Sequence, residues 1–188
     1  MKKILITVTA LLIVAAINLA NAQSMDKTVK VGGEAMYPTK NIVENAVNSK
    51  SHTTLVAAVK TAGLAETLMS AGPFTVFAPT NDAFENLPSG TVDNLLKPEN
   101  KSALGKVLTY HVVPGKLDFD NLSKQIMKSN GKLSLKTVNG AMLMFTMNGN
   151  KNIMVWDENG NGANISVYDV MQSNGVIHVI DGVLLPKM

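Results

Sequence analysis

The stretch Phe74-Thr-Val-Phe-Ala-Pro-Thr-Asn-Asp-Ala-Phe84 combines a strand, a proline stop and the start of a helix within eleven residues. Aromatic and β-branched residues dominate positions 74–78, which is typical of a strand buried on both faces. Pro79 has no backbone N–H for a neighbouring strand, so the strand should end there. Asp82 and Glu85 fit a capping box, which predicts a helix from about Asp82 to Leu87. We interpret the stretch as a core strand followed by a surface helix.

The first 22 residues have the pattern of a secretory signal peptide. Lys2 and Lys3 precede an almost wholly apolar run, and the small-x-small site Ala20-Asn-Ala22 predicts cleavage before Gln23. The run is short for a membrane span, and no cysteine follows it for a lipid anchor. No later stretch is apolar enough to cross a bilayer. We therefore expect a secreted protein, either extracellular or periplasmic.

The sequence after this leader carries little net charge. Its 166 residues hold 15 basic and 14 acidic side chains, a formal net charge of +1. All basic residues are lysine, whereas bidentate arginine contacts are the usual means of recognising phosphate and guanine. This composition argues against nucleic-acid binding. Cysteine is absent, so packing without disulfides must stabilise the fold.

Hydropathy patterning predicts helices in the first part of the chain and strands in the last. Residues 23–40 are polar and irregular, which predicts a flexible N-terminal arm before a domain that extends from 41 to 188. Helical spacing recurs from Asn41 to Met127, apart from the strand at Phe74. From Lys132 the apolar period changes from about 3.6 to about 2 residues, which indicates a strand meander. A two-residue turn is predicted at Asn139-Gly140. The layout is α+β.

Three stretches together resemble the signature boxes of the fasciclin domain (FAS1) family. Thr75–Phe84 resembles the first box, Leu108-Thr-Tyr-His-Val-Val113 the Tyr-His motif, and Asn174-Gly-Val-Ile-His-Val-Ile-Asp181 the second box. The likeness extends from about Asn41 to Pro186. It implies a wedge-shaped β-sandwich flanked by helices. It also implies a non-catalytic, exported module without a cofactor, used in cell adhesion or in contact with the extracellular matrix or the bacterial envelope.

The resemblance also implies where a partner binds. The family's adhesive contacts lie around the Tyr-His motif, here Tyr110 and His111, and its integrin contacts at an Asp-Ile pair, here Asp169 and Val170. Valine replaces the isoleucine and no Glu-Pro precedes the pair, which argues against integrin-type recognition. The expected partner is a cell-surface or matrix protein or a polysaccharide. A competing interpretation is that Tyr110 and His111 are half-buried and hydrogen-bonded at the end of a helix.

The three histidines do not indicate a metal site. His178 lies in an apolar strand and is interpreted as a hydrogen-bonded core residue, whereas His52 lies in a cap region and is expected at the surface. A zinc site needs three or four converging ligands, which three scattered histidines without cysteine do not supply. Neither Gly-x-Ser-x-Gly nor His-Glu-x-x-His occurs, so no motif indicates an enzyme.

The segment Asp157-Glu-Asn-Gly-Asn-Gly162 matches the opening of a calcium loop, with Asp and Asn at the first, third and fifth positions. The twelfth position is Tyr168, which lacks the bidentate carboxylate, and strands flank the segment. We therefore favour an Asn/Gly-rich hairpin loop over a calcium site.

A group of methionines lies on the predicted meander: Met142, Met144, Met147, Met154 and Met171. Methionine fills cores and lines adaptable apolar surfaces, and thioethers also bind Cu(I); packing is the favoured interpretation. A methionine-lined cleft between the sheet and the helices would admit a lipid or a carotenoid-like molecule. The second functional hypothesis is therefore a carrier of a small hydrophobic ligand.

Overall fold

The computed structural model describes residues 28–187, so the predicted signal peptide and its cleavage site before Gln23 lie outside the described residues. The helices in this range are α1 (Ile42–Ala46), α2 (Thr53–Ala62), α3 (Ala65–Met69), α4 (Asn81–Glu85), α5 (Thr91–Leu95), α6 (Lys101–Tyr110) and α7 (Phe119–Lys128). The strands are β1 (Val29–Val31), β2 (Glu34–Met36), β3 (Phe74–Pro79), β4 (Val112–Pro114), β5 (Lys132–Lys136), β6 (Met142–Asn148), β7 (Asn152–Trp156), β8 (Gly162–Gln172) and β9 (Gly175–Ile180). Helices dominate the first part and strands the last, as the α+β prediction states. Of the helices described, none has the length and apolar character that crossing a membrane requires.

Seven strands form one sheet in the order β4-β3-β9-β8-β7-β6-β5. β3 runs parallel to β9, and the other neighbours in the sheet are antiparallel. The long strand β8 pairs with β7 through its first part and with β9 through its last. Val138 N donates to Val112 O at 2.8 Å, which brings the β5–β6 turn to β4 and nearly closes the sheet. This arrangement is the predicted β-sandwich with flanking helices.

The main core lies between the two halves of the folded sheet. Phe77 from β3 and Phe145 from β6 meet there, with ring centroids 5.2 Å apart. Leu122 and Ile126 of α7 are fully buried against the same cluster. On the opposite face of β3, neighbouring side chains pack in a second cluster under α1 and the β1–β2 hairpin. β3 is therefore buried on both faces, as its sequence predicts.

The helix after β3 begins differently from the prediction. The strand ends at Pro79 as expected, but Thr80 is the N-cap, and its Oγ1 accepts a hydrogen bond from Ala83 N at 3.3 Å. The predicted capping box at Asp82 is wrong, since Asp82 already lies in the first turn and is exposed. Thr80, Asn81 and Asp82 are all residue types that favour the N-cap position, so residue type alone does not decide which of them caps the helix. The backbone is extended at Thr80 (φ −71°, ψ 168°), as it is at an N-cap.

Asn174 and Gly175 of the second box join the sheet to the first helices. Asn174 Oδ1 accepts from the backbone N–H of Ile42 at 3.0 Å, and its Nδ2 donates to the carbonyls of Leu68 and Ser70 at 2.8 and 2.9 Å. A Cβ at Gly175 would lie 2.1 Å from the carbonyl oxygen of Phe74. Only glycine allows β9 to begin this close to β3, so the Asn-Gly pair fixes α1 and α3 against the sheet.

The described part of the predicted flexible arm, residues 28–40, is a packed hairpin. β1 and β2 pair antiparallel, and Val31 and Met36 are buried in the second cluster beside Ile42 and Val170. Residues 28–40 therefore form a packed hairpin where the sequence predicts an irregular arm, and residues 23–27 lie outside the described range. Only two side chains of the hairpin are buried, so the sequence of this segment has little apolar periodicity from which strands could be predicted.

The turn at Asn139-Gly140 is longer than the predicted two-residue turn. β5 ends at Lys136 and β6 begins at Met142. Asn139 Oδ1 accepts from the backbone N–H of Ala141 at 2.8 Å and from the Thr137 hydroxyl at 2.7 Å. The asparagine side chain thus supplies turn contacts that a two-residue hairpin makes through its backbone.

Candidate functional site

Tyr110, from the Tyr-His motif, lies at the end of α6 with no exposed surface. Its hydroxyl donates to the carbonyl of Met142 at 2.8 Å and accepts from the backbone N–H of Glu158 at 3.0 Å. Burial raises the pKa of Tyr110 to about 12, so the phenol stays neutral. The side chain therefore connects the helix to two turns of the meander rather than facing solvent.

His111 is buried beside Tyr110 and connects α6 to the C-terminal segment, residues 181–187. Nδ1 lies 2.8 Å from the carbonyl of Val107, and Nε2 accepts from the backbone N–H of Leu184 at 3.0 Å. A carbonyl only accepts, so the ring proton lies on Nδ1. Burial lowers the pKa of His111 to about 4, against a smaller opposing effect of the Val107 hydrogen bond. The imidazole is therefore neutral at neutral pH. Both motif residues are hydrogen-bonded, as the competing interpretation states, but they are fully buried and not half-buried.

The Asp157–Gly162 loop is organised by one carboxylate. Asp157 Oδ1 accepts from the backbone N–H groups of Asn159 and Asn161 at 2.9 and 2.8 Å. Its Oδ2 accepts from Asn161 Nδ2 at 2.9 Å and from the backbone N–H of Leu185 at 3.0 Å. The loop is the hairpin connection between β7 and β8 that the sequence predicts. Within residues 28–187, no group of three or more His, Cys, Asp or Glu side chains is arranged to hold a metal ion.

We expect Asp157→Ala to lower the free energy of unfolding by about 2–3 kcal/mol, because four N–H donors lose a charged acceptor in a buried site. Urea denaturation measures the loss, and Asp93→Ala, at an exposed carboxylate on α5, is the control.

Millimolar calcium should leave the melting temperature of the native protein unchanged, since both carboxylate oxygens of Asp157 already accept hydrogen bonds. A rise that Asp157→Ala abolishes would contradict the hairpin-loop interpretation.

Asp169 and Val170 lie at an irregularity in β8, where the register with β9 shifts. Asp169 adopts φ +55°, and its Oδ1 accepts from the backbone N–H of Phe119, the first residue of α7, at 2.8 Å. Val170 is 1% exposed and packs in the second cluster. This pair makes hydrogen bonds to α7 and β9, whereas Tyr110 and His111 bond to the meander turns and the C-terminal segment. The structure does not gather the four side chains on one surface.

His178 lies beneath the Asp169 irregularity. Its Nε2 donates to the carbonyl of Leu117 at 2.8 Å, and its Nδ1 accepts from the backbone N–H of Asp169 at 3.3 Å. Burial lowers the pKa of His178. The prediction of a hydrogen-bonded core histidine is confirmed.

Six polar side chains form the outer face of α7. We call this surface the α7 polar face; it consists of Asp118, Asp120, Asn121, Lys124, Gln125 and Lys128. Asp118 caps the helix by accepting from Asn121 N at 2.8 Å. Because Asp169 bonds to the neighbouring Phe119, the α7 polar face begins one residue from that contact.

An apolar cavity of about 80 Å³ lies between the helices and the sheet. Its walls come from the β1–β2 hairpin, α1, α2 and α3, and strands β3, β8 and β9. The predicted cleft therefore exists, but the predicted methionine lining is wrong: among the described residues, Met36 is the methionine in its wall. The five meander methionines lie on β6, β7 and β8 away from it.

His52 was expected at the surface, and that prediction is wrong. It is 3% exposed and contributes to the wall of the cavity. The 3₁₀ turn Lys50–His52 precedes α2 and places the imidazole inside, where Nδ1 lies 2.8 Å from Ser49 Oγ. A histidine just before a helix can point into the core or toward solvent, so the local sequence does not predict which of the two occurs.

The nearly closed sheet, the flanking helices and the buried Tyr-His motif define the class of domain, and comparison with known proteins agrees. A sequence model of the fasciclin domain matches residues 50–186. Protein sll1483 of Synechocystis sp. is 45% identical over 170 residues, which cover 90% of this chain and 87% of that protein. Transforming growth factor-beta-induced protein ig-h3 of Sus scrofa is 38% identical over 135 residues, covering 70% of this chain and 17% of that protein.

A solved structure shows the same fold. The FAS1 domain pair from the insect cell adhesion molecule fasciclin I superimposes with a TM-score of 0.70 at 18% sequence identity. The likeness covers 79% of this chain and 52% of that one. The chain belongs to the fasciclin domain family.

Proposed function

We propose that the protein is an exported, non-catalytic binding module that mediates cell adhesion or association with the extracellular matrix or cell envelope. The observation that carries this proposal is the fasciclin match over residues 50–186. The solved relative belongs to a cell adhesion molecule, which supports the same class of role. The partner is a cell-surface or matrix protein or a polysaccharide, and the module acts after cleavage before Gln23, outside the cell or in the periplasm.

The buried family residues support a surface instead of forming it. Tyr110 and His111 hold the Asp157–Gly162 loop and the C-terminal segment from within, and Asp169 holds the start of α7. The contact surface of this proposal is the α7 polar face, which adjoins Asp169. Its carboxylates, amides and lysines offer hydrogen-bond donors and acceptors of both charge signs to a protein or a glycan.

The double variant Lys124→Glu/Lys128→Glu should weaken attachment by roughly tenfold, because charge reversal opposes a partner that the α7 polar face complements. The measurement uses cells that lack the protein, complemented with each variant, and counts cells retained on their native matrix. Both lysines are exposed, so the fold should be retained, with a cost of about 1 kcal/mol for a carboxylate in the last turn of α7 at position 128.

Lys97→Glu/Lys101→Glu is the matched control, since it makes the same charge change at two exposed lysines before and at the start of α6. Attachment that falls equally for both double variants would indicate a general charge effect and overturn the placement on the α7 polar face. Attachment that is unchanged when the whole protein is absent would overturn adhesion itself.

The apolar cavity favours a second candidate function, a carrier of a small hydrophobic ligand such as a lipid. Its apolar side chains and its position between the helices and the sheet are features that small-molecule sites share. Organic extraction of the native protein followed by mass spectrometry tests this function directly. A lipid or pigment recovered in near-equal amount to the protein would support a carrier, whereas an empty extract with lost attachment in cells lacking the protein would favour adhesion.

A further inference from the structure

Three of the five meander methionines lie outside the core, on the outward face of the sheet. The alternate residues of β6 and β7 that enter the main core have no exposed surface: Leu143, Phe145, Ile153 and Val155. Met142, Met144 and Met154 occupy positions between these residues, so their side chains lie on the opposite face. None of the three belongs to a core cluster among the described residues, and Met142 is 40% exposed. Core packing therefore leaves these three methionines unexplained.

Trp156 lies among these methionines on the same face. It stands directly opposite Met144 in the β6–β7 pair, and Met154 lies two residues before it on β7. Its Nε1 donates to Thr146 Oγ1 of β6 at 2.9 Å, and its ring atoms Cζ3 and Cε3 would lie 2.9 and 3.0 Å from a Cβ at Gly162 of β8. The indole therefore extends from β6 to β8 across the sheet surface. Met154 Cε would lie 2.8 Å from the same Cβ, so its methyl group is a neighbour of the ring.

The strand register brings two of the thioethers close enough to share a ligand. Met144 and Met154 are diagonal neighbours, because Met144 pairs with Trp156 and Met154 pairs with Thr146. Diagonal neighbours in an antiparallel pair are about 7–8 Å apart, which is within reach of long side chains. Methionine has three rotatable bonds, so both sulfur atoms can turn to one point beside the indole.

Two thioethers and an indole ring suit a soft metal ion of single charge. Thioether sulfur selects Cu(I), whereas hard cations prefer oxygen ligands. The face of an indole attracts a cation that lies within about 6 Å of the ring centre. Lys132 and Lys136 of β5 pair with the residues on either side of Met144 along this face, Thr146 and Met142. Their repulsion is roughly twice as large for a divalent ion as for Cu(I), which further favours the single charge.

We propose that Met144, Met154 and Trp156 form a site that binds one Cu(I) ion on the outer face of the meander. The two sulfur atoms coordinate the ion, and the indole ring lies against it. Coordination is reversible and changes neither the oxidation state of the copper nor the protonation of a ligand, because a thioether has no ionisable proton. The site lies on a different surface from the α7 polar face and goes beyond the adhesive function.

Anaerobic titration of Cu(I) into the protein isolated from its native cells tests this site. Trp156 is the single tryptophan of the chain, so tryptophan fluorescence reports directly on this face. We expect saturable quenching with one equivalent of Cu(I), and competition with the Cu(I) chelator bicinchoninate gives the dissociation constant. Fluorescence that Cu(I) leaves unchanged would overturn the proposal.

The pH dependence of binding distinguishes thioethers from other ligands. Imidazole and carboxylate groups must lose a proton to bind a metal, whereas methionine sulfur does not titrate. The affinity for Cu(I) at about pH 5.5 should therefore equal that at about pH 7.5, a range that spans the ordinary pKa of histidine. An affinity that falls on acidification would indicate a histidine or carboxylate site and overturn the thioether assignment.

Methionine-to-leucine variants test the location of the site. Met144→Leu and Met154→Leu should each weaken Cu(I) binding by about tenfold or more, because even residues that only support metal ligands are worth that much in affinity. Leucine conserves the volume of methionine, so the fold is retained, which thermal melts verify. Met127→Leu is the matched control, since it makes the same change at a methionine that is 66% exposed on α7. Affinity that persists in both strand variants, or that falls equally in Met127→Leu, would overturn the assignment to this face.

Discussion

Phe77→Ala is expected to lower the free energy of unfolding by about 3–5 kcal/mol, the range typical of large aromatic truncations in a core. The Phe77 ring has no exposed surface and lies 5.2 Å from the ring of Phe145 and 5.6 Å from that of His178. β3 pairs with β4 on one side and β9 on the other, so its backbone cannot shift to fill the void. Urea denaturation measures the loss of unfolding free energy, with the same dependence on urea concentration assumed for the native protein and the variant.

Phe74→Ala is the matched control for this truncation, because it removes the same side chain from the same strand at a partly exposed position. A smaller loss is expected there, since less of the ring is removed from water in the folded state. An unchanged midpoint for Phe77→Ala, or losses of equal size for the two variants, would contradict the central position of Phe77.

The sequence predicted the structure correctly in segments where the local residue pattern matches the burial of the side chains. The run 74–79 is apolar and bounded by prolines, and it became a strand buried on both faces. The change of apolar period at Lys132 marked the start of the strand meander. The three boxes identified the family because they occur in the order and at the spacing of the fasciclin domain. In these segments the neighbours along the chain largely determine the structure.

The prediction was wrong where distant residues determine the structure. The hairpin of residues 28–40 packs because Val31 and Met36 meet Val170, far away in the sequence. The walls of the cavity around His52 come from three helices, five strands and the 3₁₀ turn, so no single segment carries its signal. A half-buried, hydrogen-bonded His111 is the alternative that the sequence favours, because His111 continues the apolar stripe of α6. Its partner Leu184, 73 positions away, was not predictable.

Acidification from about pH 7 to about pH 4 should destabilise the fold by about 3 kcal/mol through His111 alone. Burial lowers the pKa of His111 to about 4, whereas the unfolded chain has the ordinary value of 6.5. Between these values the unfolded state binds a proton that the folded state does not. The stabilisation is therefore complete above about pH 6.5 and is lost as pH falls toward about 4. His178 and His52, whose pKa values burial also lowers, act in the same direction.

His111→Gln separates the contribution of His111 from those of the other histidines. The glutamine oxygen can accept from Leu184 N–H as Nε2 does, but the side chain does not titrate. Urea denaturation at about pH 7 and about pH 4.5 should show a smaller loss of stability in the variant than in the native protein. The difference between the two losses measures the share of His111, whatever the variant's stability at neutral pH. Equal losses would mean that His111 does not carry the acid sensitivity.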